Sequence, residues 1–419
     1  MCKGDKEGQD LGATKVAPDM IALGLVVEKG GLPFKDLKQF QLVSLSLCRT
    51  WREEIPVCVR VSEKTPKRMW VRESGMVAGE ASRVGKAGPG RVPYLRVVRV
   101  KFSEKFNQSI EGVVLPRELL WVTFGRAFNQ SLDRLQWPED LERLTFGGSF
   151  NRAIDNVVWP SGLKTLKFGQ RFNQAVNGME WSVGLKRLVF GTDFDRPLDE
   201  MVWPMGLEFL CFGEWFNQSV GGVTWPKGLQ HLTFGYSFNQ SVDGVVWPAG
   251  LERLEFGWSY NQPVDSVVWP EGLKYLTFGG RFNQVVNEAK WPVCLKKLEF
   301  GHSFDQNLRD AVWPEGLVEL SFGDCFNQPL DGVLWPPGLQ RLSFGVSFNQ
   351  PLDWVLWPDG LERLRFGDGF NQSLDGVEWP TSLKELVLGG GFDRGVKGLS
   401  RHLGLRVWVA ELFGEMREI

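Results

Sequence analysis

The stretch LQRLSFGVSFNQPLDWVLWPDG, residues 339–360, contains every position of a unit that most of the chain repeats. As a consensus the unit reads L-x-x-L-x-F-G-x-x-F-N-Q-x-L-D-G-V-x-W-P-x-G, and Trp354 takes the place of the glycine in its sixteenth position. We number these positions as columns 1 to 22, counting from Leu339. A column therefore contains residues that lie 22 positions apart along the chain.

The phenylalanine of column 10 recurs without insertion or deletion. Fourteen positions between Phe106 and Phe392 keep the 22-residue spacing, and Tyr260 is the single substitution. A unit this short cannot bury its own apolar side, so it must stack on its neighbours. Leu342 and Phe344 alternate with polar residues, which is typical of a strand with one buried face. We therefore predict a right-handed solenoid with one long parallel sheet, extending roughly 65 Å at about 4.8 Å per strand.

The remaining columns predict a path without helices. Gly345 would let the chain turn after the strand, since glycine accepts conformations closed to other residues. Phe348 would return to the core, while Val355 and Trp357 line its far wall. Pro358 fixes φ and stops a helix, so we expect an irregular or short 3₁₀ return path.

Columns 11 and 19 each allow a structural and a functional interpretation. Column 11 contains eleven Asn and three Asp, and their shared side-chain oxygen suits a ladder that caps backbone N–H groups. A metal ladder would need clustered carboxylates, so we expect no metal and no cofactor. Column 19 contains twelve Trp, eleven of them before Pro. They could form a surface that stacks sugars or bases, but their apolar spacing favours the core.

The string FNQPL…WPPGLQRLSFG resembles the FNIP repeat, a relative of the leucine-rich repeat, over about residues 97–395. The resemblance implies a curved, leucine-rich-repeat-like solenoid and does not specify a ligand. We assign residues 96–398 to the solenoid and residues 399–419 to a C-terminal cap, where the FN and WP signals end. A degenerate first strand is expected at RVVRVKFS, residues 96–103.

Residues 16–55 resemble an F-box, preceded by a disordered N-terminus at 1–15. Pro18-Asp19 begins the match, Asp36-Leu37 continues it, and Trp51 closes it with a longer spacing than the family has. The resemblance implies contacts with a Skp-type adaptor through Pro18, Ile21, Leu25, Leu37, Leu42, Val43 and Trp51. The alternative is an amphipathic helical cap on the solenoid.

Residues 56–95 are interpreted as a basic linker and N-terminal cap. VCVRV, residues 57–61, alternates like a strand, and between Arg60 and Lys101 there are eleven Lys or Arg against three Glu. Such a stretch could contact phosphate or an acidic protein, although a solvated linker is the commoner outcome.

Columns 3 and 5 should point away from the core, and columns 8 and 9 should follow at the edge of the sheet. In the central units these columns gather aromatic and basic side chains, which are typical of interface hot spots. The predicted partner-binding residues are Phe209, Trp215, His231, Tyr236, Arg253, Trp258 and Tyr275. Alternatively, the rings only pack on one another over the sheet. Column 3 is basic in several units, but Glu255 and Glu299 neutralise part of it, and the net charge is −2. We therefore do not expect nucleic-acid binding.

Several classes of protein find no support in the sequence. No phosphate loop, H-E-x-x-H or G-x-S-x-G motif occurs, so we do not expect an enzyme. The six cysteines are scattered singly, and neither a long apolar run nor an apolar signal core is present. We expect a cytoplasmic or nuclear monomer that does not enter a membrane. An extracellular receptor, glycosylated at the N-x-S sequons of the repeated FNQS string, is the less favoured alternative.

The patterns together predict a protein–protein interaction scaffold. With the F-box-like segment, it would be the substrate-recognition subunit of a Skp/cullin/F-box ubiquitin ligase, which brings a protein close to a ligase it does not itself form. The alternative is a scaffold without any link to ubiquitin, in which the N-terminal residues only cap the array.

Overall fold

The computed structural model describes residues 55–61, 95–395, 405–410 and 416–418. These residues form seventeen strands of one sheet. The strands are β1 Ile55–Val61, β2 Leu95–Phe102, β3 Trp121–Thr123, β4 Arg143–Thr145, β5 Thr165–Lys167, β6 Arg187–Val189, β7 Phe209–Cys211, β8 His231–Thr233, β9 Arg253–Glu255, β10 Tyr275–Thr277, β11 Lys297–Glu299, β12 Glu319–Ser321, β13 Arg341–Ser343, β14 Arg363–Arg365, β15 Glu385–Leu388, β16 Arg406–Ala410 and β17 Met416–Glu418.

Each strand pairs with the next along the chain. The pairing is parallel from β1 to β16, and β17 then pairs antiparallel with β16. The register is that of the repeat, so that Leu276 lies beside Leu254 on one side and Leu298 on the other. The predicted solenoid of 22-residue units with one long parallel sheet is confirmed.

The sheet includes strands from both flanking segments. VCVRV, residues 57–61, lies in β1, whereas β16 and β17 lie in the C-terminal tail. The seven residues proposed to bind an adaptor, Pro18 to Trp51, lie outside the described residues. No residue that the structure describes is helical, and the return path between strands consists of turns and irregular backbone.

The core consists of residue columns that stack from turn to turn. Column 6 and column 10 form two adjacent rows of phenylalanine, in which Phe234 and Phe238 have ring centroids 4.0 Å apart. Column 19 forms a third row, in which Trp225 and Trp247 stack at 6.2 Å. The tryptophans of column 19 are buried or, at Trp291, partly buried. The prediction that they belong to the core is therefore confirmed.

Column 7 requires glycine for a different reason from the one that the sequence indicates. We expected it to supply a backbone conformation closed to other residues, yet positive φ is found at other glycines, among them Gly222. The backbones of successive turns instead approach closely at column 7. A Cβ on Gly257 would overlap the carbonyl oxygen of Gly235 in the preceding turn. The column requires glycine because only a residue without a side chain permits this approach.

The Asn column forms the ladder that the sequence predicts. Asn239 Oδ1 accepts a hydrogen bond of 2.8 Å from the backbone N–H of Asn261 and another of 3.1 Å from Gln262 Nε2, both in the next turn. Asp195 replaces Asn without loss of either bond and accepts from Asn217 N and Gln218 Nε2. The ladder satisfies a backbone donor that the irregular path leaves without a main-chain partner.

Candidate partner-binding face

The strands present one side to the core and the other to solvent. In each central strand the middle residue, a leucine of column 4, is buried, whereas its neighbours in columns 3 and 5 are partly or fully exposed. Columns 8 and 9 follow in the turn after the strand. The seven predicted partner-binding residues therefore lie on the sheet face and in the adjoining turn, and none of them is buried.

The column 3 residues of β7 to β10 lie side by side. Phe209 meets the edge of the His231 ring at a centroid distance of 6.1 Å. On its other side Phe209 is covered by the guanidinium of Arg187 at 3.4 Å. Arg253 lies over the ring of Tyr275 at 4.5 Å. These four predicted residues are thus partly engaged with their own neighbours, as the alternative interpretation of the sequence expected.

Three aromatic side chains of column 8 form a second row, which we call the aromatic ridge: Tyr236, Trp258 and His302. The rings of Tyr236 and Trp258 stack at a centroid distance of 6.2 Å with an angle of 7° between planes. Tyr236 is 52% exposed and Trp258 41% exposed, and the nearby Trp215 of column 9 is 58% exposed. These rings present more apolar surface to solvent than the half-buried row of column 3.

The aromatic ridge crosses a gap of one turn. Trp258 and His302 are two repeats apart, yet their ring centroids lie 6.0 Å from each other. The residue between them in column 8 is Gly280, and a Cβ there would overlap the indole of Trp258. Gly280 therefore leaves the space in which the indole lies. The sequence prediction included Tyr236 and Trp258 and missed both Gly280 and His302.

His302 also contacts two residues of the next turn that the prediction missed. Its Nδ1 lies 3.0 Å from Asp324 Oδ2, and its Nε2 lies 3.6 Å from Cys325 Sγ. The signal that could have found them is that His302, Asp324 and Cys325 occupy columns 8 and 9 of two consecutive units. The period places these side chains in one row, but it does not show which of them touch.

The basic residues of column 3 are largely neutralised on the face. Lys297 pairs with Glu299 and Glu319, each at 2.7 Å, and Arg341 pairs with Glu319 at 2.8 Å. Burial disfavours the charge of Glu319, but its hydrogen bonds from Lys297 and Arg341 outweigh this effect and hold the pKa of that carboxyl below its usual value. The basic side chains of column 3 that form these pairs are thus largely balanced by carboxylates of the same face.

A second apolar surface runs along the return path. The column 18 residues lie between the buried columns 17 and 19 and point outward, because alternate residues of an extended chain face opposite sides. Its exposed members are Val114, Val158, Val202, Val246, Val268, Val312, Leu334 and Leu356. This stripe extends over most of the units, whereas the aromatic ridge is confined to the central ones.

The described residues contain no group of three or more His, Cys, Asp or Glu side chains arranged to hold a metal ion. Across the same residues, no helix has the length and apolar character that crossing a bilayer requires.

Trp354, in column 16 of the return path, is 80% exposed and far from the ridge in the repeat unit.

Comparison with known proteins gives a repeat family and a structural relative. The FNIP Repeat family matches five segments, the first four of which overlap in pairs: 106–149, 128–171, 216–259, 238–281 and 326–369. CroV588, described as a novel circular LRR protein, is 39% identical with a TM-score of 0.66, and the match covers 72% of this chain and 45% of CroV588. This chain thus spans less than half the length of that relative.

A second solved structure is less similar. An internalin (inlF) from Listeria monocytogenes is 13% identical over 74% of this chain and 85% of its own, with a TM-score of 0.42. No curated protein is significantly similar to this chain.

Proposed function

Since the chain is a FNIP-repeat protein with a leucine-rich-repeat-like solenoid, we propose that it is a scaffold that binds another protein on the exposed sheet face. The repeat fold is compatible with protein–protein interaction, and no catalytic constellation is needed for that role. The partner would contact the aromatic ridge together with Trp215 and the half-buried row Phe209, His231, Arg253 and Tyr275.

The observation that carries this proposal is the exposed stack of Tyr236 on Trp258. Large exposed rings held by their neighbours bury much apolar area on binding and lose little conformational freedom, which is why such residues dominate interface energetics. The columns that build the core keep the same residue types from turn to turn. The aromatic ridge departs from the pattern, so it can distinguish one partner from another.

The test compares two variants of the full chain by affinity purification under identical conditions. One replaces Trp215, Tyr236 and Trp258 together by Ala, and the control is Trp354→Ala, which removes an exposed indole from the return path. We expect the triple variant to lose a protein that both wild type and the control retain. Identical partner sets for all three proteins would contradict the proposal.

We further propose that the scaffold is the substrate-recognition subunit of a Skp/cullin/F-box ubiquitin ligase. This step rests on the F-box-like sequence of residues 16–55. In that role the N-terminal segment would dock on a Skp-type adaptor, and the sheet face would hold the protein to be ubiquitinated. Catalysis would then be supplied by the ligase through proximity.

A pull-down with a purified Skp-type adaptor tests this second proposal separately. We expect the full chain to bind, and we expect a variant with Leu37, Leu42 and Val43 changed to Asp to lose binding. If the adaptor does not bind, or if the variant binds equally well, the N-terminal residues act only as a cap. The sheet-face proposal would survive that outcome.

The ubiquitin-ligase role implies a cytoplasmic or nuclear protein, and we propose that it is monomeric without its partners. Glycans at the FNQS asparagines of the native protein would instead support an extracellular receptor.

A further inference from the structure

At one end of the aromatic ridge, a thiol, an imidazole and a carboxylate lie in line. Cys325 Sγ is 3.6 Å from His302 Nε2, and His302 Nδ1 is 3.0 Å from Asp324 Oδ2. The thiol and the carboxylate therefore contact opposite nitrogens of one ring. They cannot converge on one metal ion through it, whereas a nucleophile, its base and a group that orients the base occupy this order.

The carboxylate determines which nitrogen of His302 carries the proton. An ionised carboxylate only accepts hydrogen bonds, so Nδ1 is the donor in this pair. In the neutral imidazole, Nε2 is then the unprotonated nitrogen, and it faces the thiol. The Cys325 S–H can donate to Nε2 and transfer its proton there.

Two further contacts hold the groups in place. The backbone N–H of Cys325 donates to the carbonyl oxygen of His302 at 2.9 Å, which ties the thiol to the turn of its base. The imidazole of His302 stacks on the indole of Trp258, with a distance of 6.0 Å between ring centroids. Gly280 leaves room for that indole. Cys325 is exposed, so a reagent can reach the sulfur from solvent.

We propose that Cys325 is a covalent modification site for α,β-unsaturated carbonyl compounds, with His302 as its base, Asp324 as a positioning residue and Trp258 as a platform for a flat apolar body. His302 Nε2 takes the thiol proton, and the sulfur electron pair forms a bond to the β carbon of the compound. The π electrons move onto the α carbon, which then receives the proton from the imidazolium. No leaving group or oxidant is required. The proposal does not depend on a protein partner.

The chain contains its own reference thiols. Cys294 is exposed like Cys325 but lies in column 22, outside the column of His302. Cys211 is partly buried, and burial raises the pKa of its thiol, with Arg187 and Lys167 opposing that shift and Glu255 adding to it. We expect Cys211 to be the slowest of the three because the thiolate is the reactive form.

The test measures the rate of N-ethylmaleimide addition at each cysteine of the full chain by peptide mass spectrometry at neutral pH. We expect Cys325 to react about tenfold faster than Cys294, less than the roughly 10²- to 10⁴-fold effect typical of general-base catalysis, because the site is open to water. His302→Ala should bring Cys325 down to the rate of Cys294 and leave Cys294 itself unchanged. Equal rates at Cys325 and Cys294 in the wild type, or a Cys325 rate that His302→Ala leaves unchanged, would overturn the proposal.

Three further variants separate the positioning roles from general structural effects. Asp324→Asn should slow Cys325 several-fold without changing Cys294, and Asp324→Glu should restore most of the rate. With N-phenylmaleimide, Cys325 should gain an additional advantage over Cys294 that Trp258→Ala removes. If N-phenylmaleimide shows no such advantage, the platform role assigned to Trp258 is wrong.

Discussion

The indole of Trp258 lies over Gly280, the residue one turn further along in the same column. This contact lets Trp258 reach His302, which is two repeats away in sequence. The geometry of the aromatic ridge therefore depends on the absence of a side chain at one position. It also links the proposed partner-binding face to the proposed modification site.

A methyl group at that position should rearrange the ridge. Gly280→Ala is expected to displace the indole and to shift the ring signals of His302 in histidine NMR spectra, which are simple because the chain has three histidines. The free energy of unfolding should fall by less than about 1 kcal/mol, since an exposed ring can move aside. Gly148→Ala is the matched control in column 8, because its Cβ would meet only Arg126 Cγ at 3.4 Å and Gln170 at 4.0 Å. An unchanged His302 spectrum in Gly280→Ala would refute the contact.

A methyl group in column 7 should damage the solenoid itself. Gly257→Ala places a Cβ on the backbone of the preceding turn, where no side chain can yield. We expect a loss of about 3 kcal/mol, at the upper end of overpacking effects. Gly221→Ala should change the free energy of unfolding by less than about 0.5 kcal/mol, because its Cβ meets only Ser219 Oγ at 3.7 Å. Denaturant unfolding of both variants checks the difference, and similar losses would contradict it.

The Asn ladder should require an acceptor and not an amide as such. Asn239→Ala leaves the N–H of Asn261 and the amide of Gln262 without their acceptor, which should cost about 1–3 kcal/mol. Asn239→Asp retains an acceptor, as Asp195 and Asp305 do in their own turns, and should lie within about 1 kcal/mol of wild type at neutral pH. Thermal unfolding distinguishes the two. An Asp variant as unstable as the Ala variant would count against the ladder.

Tyr260 should make the folded chain less stable than the phenylalanine that occupies column 10 in the other units would. Tyr260 is fully buried, its hydroxyl has no hydrogen-bond partner in the structure, and burial raises its pKa. Tyr260→Phe should therefore stabilise the chain by about 1 kcal/mol. The reverse change at the adjacent turn, Phe238→Tyr, should destabilise it by a similar amount. If Tyr260→Phe gives no gain in stability, the Tyr260 hydroxyl is satisfied and the prediction is wrong.

The ion pairs of Glu319 should make stability depend on acid pH. Because its pKa is lowered in the folded chain, its contribution is fully present above the ordinary carboxyl value and is lost as pH falls through the lowered pKa. Wild type should therefore be more stable than Glu319→Gln at pH 7, and the gap should narrow at an acid pH below the ordinary carboxyl value. Glu271→Gln provides the control, because it removes an exposed carboxylate of the return path. Denaturant midpoints at both pH values measure the gap.

The sequence determined most of the fold because every unit must bury the same columns against its neighbours. Leu342, Phe348 and Trp357 belong to the core for that reason alone, and Asn349 must provide an acceptor wherever the turn leaves a donor. The identical 22-residue spacing also forces parallel pairing in register.

Only the tertiary structure decided which of the variable side chains contact one another. The contact between Trp258 and His302 spans two repeats, and it depends on the orientation of the Trp258 side chain, which the 22-residue spacing does not specify. The pairing of Asp324 and Cys325 with His302 is of the same kind, as is the close backbone approach that explains the glycine of column 7. The sequence therefore specified the solenoid and its exposed columns, because burial repeats with the unit. The contacts on the exposed face depend on how unique side chains fill the space between turns.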